Sequence, residues 1–247
     1  MSAEEKHSPL AQFEIKPLYD IEFSNISLDF TNSALLMVLS VVISVAFLLI
    51  ATKDKLIIPH KLQAFAEFLY NFVKDMLVNN TGPEGLKFFP LAFSLFIFVL
   101  FCNLLGMIPY SYTATSHIIV TFALAASLFV VIVIFAFKKH GIKFLSIFMP
   151  SGTPLWLSPL LIFIELFAYL ARPISLSIRL AANMTAGHTM MKVIAGFVIS
   201  LGYIGGWLPL LFLVVLTGFE IFVAILQAYI FTMLACVYLN DAVHLSH

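Results

Sequence analysis

The chain has 247 residues, of which 62% are hydrophobic and 11% charged, against about 25% charged in an average soluble domain. That composition and a mean hydropathy of +1.04 describe an integral membrane protein. A formal net charge of zero leaves no electrostatic footprint for nucleic acid. The two cysteines, Cys102 and Cys236, both lie in apolar segments and give neither a disulfide framework nor metal-ligand spacing. With no glycine-rich phosphate loop and no nucleophile-elbow pattern either, no self-contained enzyme, bound metal or cofactor is expected.

The first 32 residues are polar and acidic: Glu4, Glu5, Glu14, Asp20, Glu22 and Asp29 stand against Lys6 and Lys16. A basic start followed by a short apolar core would mark a signal peptide, and neither is present, so a retained tail is expected. Residues 33–51 form the first span, about 28 Å long as a helix. Residues 62–78 then show helical periodicity. Leu62, Phe65, Phe68, Leu69, Phe72, Val73 and Met76 fall on one face, and Gln63, Glu67, Asn71 and Lys74 on the other. This segment is too charged to span and suits the membrane interface, or a partner's surface. The turn residues Asn79 to Pro83 end it.

Residues 88–106 make the second span, with Pro90 tolerated in its first turn and one buried amide, Asn103. An uncharged turn leads to His117 and the third span, residues 118–137. Lys138, Lys139, His140 and Lys143 close that span. Eight lysines lie between Lys53 and Lys143, two lie in the tail, and none lies in the turn between spans two and three. By the positive-inside rule the tail is external and the lysine-rich loops are cytoplasmic.

Two long apolar runs follow, residues 154–200 and 207–241, separated by Gly202, Gly205 and Gly206. The shorter would be about 52 Å long as a helix, far more than the roughly 30 Å hydrocarbon core. Either each run contains a turn, with Pro173 able to break or bend the first, or both helices are steeply tilted. No lysine cluster marks an extra loop, so two long tilted helices forming a hairpin are expected. The expected fold is thus an all-α integral membrane protein forming one membrane domain. It has about five transmembrane helices and one interfacial amphipathic helix, and the last two spans are long and tilted.

Charge inside the membrane carries the functional signal. A cation at the centre of a membrane helix costs about 2.5–3.5 kcal/mol on the insertion scale, so it faces a partner or a water-filled path. Arg179 is that cation, flanked by Leu176, Ile178, Leu180 and two alanines. Counting outward from a turn at Tyr203 sets Arg179 level with Gln227, His188 level with Glu220, and Glu165 level with Asp241. At about 100° per residue, Glu165, Arg172, Ser175, Arg179 and Asn183 share an arc of roughly 80°, with His188 on the opposite side. Titratable stations on both sides of a fixed cation are what an interrupted proton path requires. Each residue also has a plainer reading. Glu165 would neutralise Arg172, His188 and Glu220 would be a hydrogen-bonded structural pair, and Asn103 and Gln227 would stitch helices together.

The runs RPISLSIRLAANMTAGH, GFEIFVAILQAYIFTML and NLLGMIPYSYTATSHI resemble the a subunit, subunit 6 in mitochondria, of the rotary F-type ATP synthase. The resemblance spans essentially the whole chain. It implies a non-catalytic stator subunit of an inner membrane, bacterial or mitochondrial, whose Arg179 faces a rotating ring of c subunits. Protons would enter by one half-channel, ride the ring's carboxylates and leave by the other. Glu165, Asn183, His188, Glu220 and Gln227 match the family's functional polar positions in order. The implied partners are the c-ring, b-type peripheral-stalk subunits, the remaining synthase subunits and the bilayer. Many bacterial relatives carry glutamate where His188 stands and histidine where Glu220 stands; this chain has the reversed pair and so is similar to the mitochondrial subunit and to some bacterial ones. A stand-alone channel or secondary transporter would show internal repeats or paired broken helices, and neither is found. A membrane scaffold has no need of Arg179 between titratable groups.

Overall fold

A computed structural model describes residues 17–19, 22–23, 26–27, 30–53, 58–108, 114–141, 143–144 and 157–243. Six helices follow in order: α1 (Asn32–Ala51), α2 (Lys61–Thr81), α3 (Phe89–Gly106), α4 (Ile118–His140), α5 (Ser158–Gly205) and α6 (Trp207–Val243). Among the described residues, five helical segments are long and apolar enough to cross a membrane, and α2 is not one of them. Ahead of α1, the tail contains two short antiparallel pairs. β1 (Pro17–Tyr19) pairs with β4 (Phe30–Thr31), and β2 (Glu22–Phe23) with β3 (Ile26–Ser27). The prolines 150 and 154 that open the first long run lie outside the described residues.

The chain gathers into two compact units. One takes the chain up to Ile50, Ile97–Val120 and Leu180–Ala228; the other takes Ala51–Phe96, Thr121–Arg179 and the chain from Tyr229 on. In the first unit, α1 buries Ser40 and Ser44, whose hydroxyls donate back to the carbonyls of Leu36 (2.7 Å) and Val41 (2.8 Å). Such back-bonding satisfies the hydroxyl's donor within its own helix. Phe47 packs on Phe101 of α3 with ring centroids 5.7 Å apart.

The end of the hairpin also lies in this unit. The backbone leaves helical geometry at Gly202 (φ 61, ψ −159), a conformation that a side chain would strain. Gly206 then donates to the Gly202 carbonyl (2.9 Å). A Cβ on Gly206 would meet backbone oxygens at 2.6 and 2.9 Å, so both ends of this turn require glycine.

In the second unit α2 splits its apolar arc. Ala66, Leu69, Val73, Met76 and Leu77 are buried, while Leu62, Phe65 and Phe68 are exposed. Thr81, at its end, donates to the Cys236 carbonyl of α6 (3.2 Å). Pro173 sits inside α5 without ending it. A proline has no N–H, so the carbonyl four residues earlier, Tyr169 O, loses its helical donor. The buried Tyr238 hydroxyl of α6 donates to that oxygen (3.5 Å). The basic end of α4 caps α6: Lys139 Nζ donates to the Val243 carbonyl (3.1 Å) and to Glu84 (3.3 Å), and His140 Nε2 lies 3.0 Å from the Ala242 carbonyl. Terminal helix carbonyls have no partner within their own helix, and cations suit that negative end.

The hairpin register is therefore visible in each unit separately. Thr217 Oγ1 reaches Met191 Sδ (3.6 Å) and Gly187 abuts Glu220 in the first, and Tyr169 meets Tyr238 in the second. The midpoints of all three pairs fall at residues 203–204, in agreement with the count from Tyr203.

Candidate functional site

In the second unit, α5 and α6 border an open groove of about 440 Å³ whose polar lining is Arg172, Ser175 and Arg179. The remaining wall is small or apolar, including Ala168, Ala171 and Met233. Spacings of three and four residues bring the three polar side chains onto one helical face, as their order in the sequence requires. The two arginines differ in their surroundings. Arg172 lies 3.9 Å from Asp241, a charge-neutralising approach rather than a short hydrogen bond. Arg179 is exposed, and among the described residues no hydrogen bond or ion pair reaches its guanidinium. Glu165, half-buried one turn before Tyr169, is likewise unbonded among the described residues. The counter-ion of Arg172 is thus Asp241 and not Glu165.

The first unit holds the rest. A cavity of about 470 Å³ is bordered by Asn183, Gly187 and Glu220 among methionines, leucines and a phenylalanine. Asn183 is exposed there, whereas Glu220 is 9% and His188 7% exposed. Neither carboxylate oxygen of Glu220 has a hydrogen-bond partner among the described residues, so Glu220 and His188 are not joined as a direct hydrogen-bonded pair. Asn103, fully buried on α3, donates Nδ2 to the Ala224 carbonyl of α6 (3.2 Å) and leaves its Oδ1 without a partner. Gln227, 1% exposed, has neither amide atom bonded among the described residues. Glu220, Ala224 and Gln227 follow at four and three residues, one face of α6. Asn103 meets that face between the two polar side chains. Asn103 does join two helices, while Gln227 makes no such stitch.

Residue-by-residue reading of the sequence missed three participants. Asp241 was level with Glu165 by count, but its choice of Arg172 depends on how the helices are rotated. Tyr238 answers Pro173, whose missing N–H was the available signal. Gly187 lies one residue before His188 and faces the Glu220 carboxylate.

The family model of the ATP synthase A chain matches residues 34–240, from the start of α1 almost to the end of α6. The chain belongs to this family. It is a multi-pass, proton-translocating membrane subunit of the F-type ATP synthase, and membership implies association with the rest of that complex. The polar residues singled out from the sequence between Asn103 and Gln227 all fall inside the matched region.

Proposed function

We propose that this A chain is the non-catalytic stator subunit that passes protons to and from a rotating c-ring through two offset half-channels, with Arg179 keeping them apart. One observation carries the reading. Of the two arginines in the α5–α6 groove, Arg172 has a carboxylate partner, and Arg179 is exposed with none among the described residues. An unneutralised cation in a membrane helix calls for an anion from elsewhere. A ring carboxylate arriving at the groove supplies it.

The electrostatics follow. A ring carboxylate must be protonated to travel through lipid, where a bare charge is too costly. A cation within about 4–6 Å favours its ionised form, so it sheds its proton beside Arg179. The same fixed charge repels protons that would otherwise cross directly between the two paths. Membrane potential contributes about 2.3 kcal/mol per charge per 100 mV.

On this reading the outer half-channel runs by His188, Glu220, Asn183, Asn103 and Gln227. Its support is the set of deeply buried polar atoms on Asn103, Glu220 and Gln227 that have no hydrogen-bond partner among the described residues. Such atoms are the ones that water satisfies inside a protein. Glu165 and Ser175 belong to the cytoplasmic half-channel. Lysine placement supports an N-terminus outside and a C-terminus in the cytoplasm. ATP chemistry stays with the soluble partners, and b-type stalk subunits hold the stator still.

The test is Arg179→Ala in the intact synthase. The complex is expected to assemble while ATP-driven pumping and ATP synthesis fall to background. Normal coupled synthesis in that variant would end the proposal.

A further inference from the structure

Gly187 lies within α5 with no positive φ, so no turn requires glycine there. A glycine inside a helix costs about 1 kcal/mol relative to alanine. The space beside it accounts for that cost. A Cβ built at 187 would overlap the Glu220 Oε1, with Cδ 2.7 Å and Cγ 3.3 Å away. These three nearest atoms all belong to the Glu220 side chain. At Gly206, by contrast, the nearest atoms are backbone. The volume a methyl group would fill at 187 is therefore held by a carboxylate, not by close backbone packing. That carboxylate is buried and neither oxygen is hydrogen-bonded among the described residues, so packing alone sets its position.

We propose that Gly187 is a positioning residue for proton uptake: by lacking a side chain it seats the Glu220 carboxylate against α5, one residue from His188. This rests on the outer-path role given to Glu220 above. A methyl group at 187 pushes the carboxylate out of its seat. Because the obstruction is the end of a flexible side chain, the helix itself need not move. Function should suffer before assembly does.

The experiment uses membrane vesicles carrying the whole synthase, read by ATP-driven proton pumping and by the amount of assembled complex. Gly187→Ala is expected to assemble and to pump about ten-fold more slowly or worse, since displacement of a reacting group by about 1 Å is costly. Gly196→Ala, where a Cβ meets nothing within 4 Å, is expected to match the parent. The deciding variant is Gly187→Ala with Glu220→Asp. Its shorter side chain draws the carboxylate back from the new methyl, so the double variant should pump faster than Gly187→Ala alone. A merely structural glycine would not be rescued this way. If Gly187→Ala matches Gly196→Ala while Glu220→Ala is slow, the seat is refuted and the outer-path reading stands. If Glu220→Ala pumps normally, the outer-path role fails, and the seat with it. If Gly187→Ala does not assemble, recovery of assembly and pumping by Glu220→Asp supports the seat. Continued loss shows that 187 serves helix packing and overturns it.

Discussion

Arg172 and Arg179 share a helix face and a groove, yet among the described residues only Arg172 has a neutralising partner. That difference predicts a difference in tolerance. Arg179→Lys should fail like Arg179→Ala, since an ammonium on a flexible stem is a compact point charge that burial can neutralise, whereas guanidinium stays charged. ATP synthesis in vesicles decides it, and a working Arg179→Lys would show that any cation suffices. The counterpart, on the reading proposed above, is the pair formed by His188 of α5 and Glu220 of α6. His188→Ala and Glu220→Ala should each slow proton entry. The double exchange His188→Glu with Glu220→His should recover more pumping than the worse single exchange, because it restores one acid and one base near the same level. Additive losses across that cycle would show that the two residues do not couple.

At the scale of a helix, α5 carries a proline that should have cost it a hydrogen bond, and α6 answers with the Tyr238 hydroxyl. Interhelical hydrogen bonds in membranes average about 0.6 kcal/mol and reach about 1.7. Tyr238→Phe should lower unfolding free energy in mixed micelles by an amount in that range. In a Pro173→Ala background the backbone donor returns, and Tyr238→Phe should then cost less. Equal costs in both backgrounds would break the link. These pairs mark the limit of what the sequence reveals. Spans, hairpin and turn were legible, because hydropathy and glycine placement act along one chain and need no knowledge of neighbours. The choice of Asp241 by Arg172, the reach of Tyr238 to Tyr169 and the fit of Glu220 against Gly187 were not. Each depends on how two helices are rotated about each other, which a sum over residue types does not contain. The splitting of the α2 stripe, with Leu69 and Val73 inside and Phe65 and Phe68 outside, has the same origin.

For the whole molecule the central expectation is two water paths that do not join. In a background lacking the buried Cys102 and Cys236, Glu165→Cys and Glu220→Cys can each be labelled with a small charged thiol reagent. Position 165 should react from the cytoplasmic face and position 220 from the outer face, read as rates in inverted and right-side-out vesicles. Equal rates from both faces would mean one continuous pore and remove the basis of rotation. Reversed preference would keep two paths and invert the topology set by lysine placement.

The cap that α4 places on α6 also bears on the order in which the chain assembles. Lys139 and Val243 lie 104 residues apart, whereas Met191 and Thr217 lie 26 apart. Closing a longer loop costs more entropy, although the cost grows only slowly with length. The hairpin should therefore zip from Gly202 outward first, and the lysine clasp should fasten afterwards as a late lock. Lys139→Ala should leave insertion of the hairpin at its normal speed while the end of α6 frays. In pulse-chase proteolysis, protection near residue 243 would then be lost while protection around residues 191–217 persists.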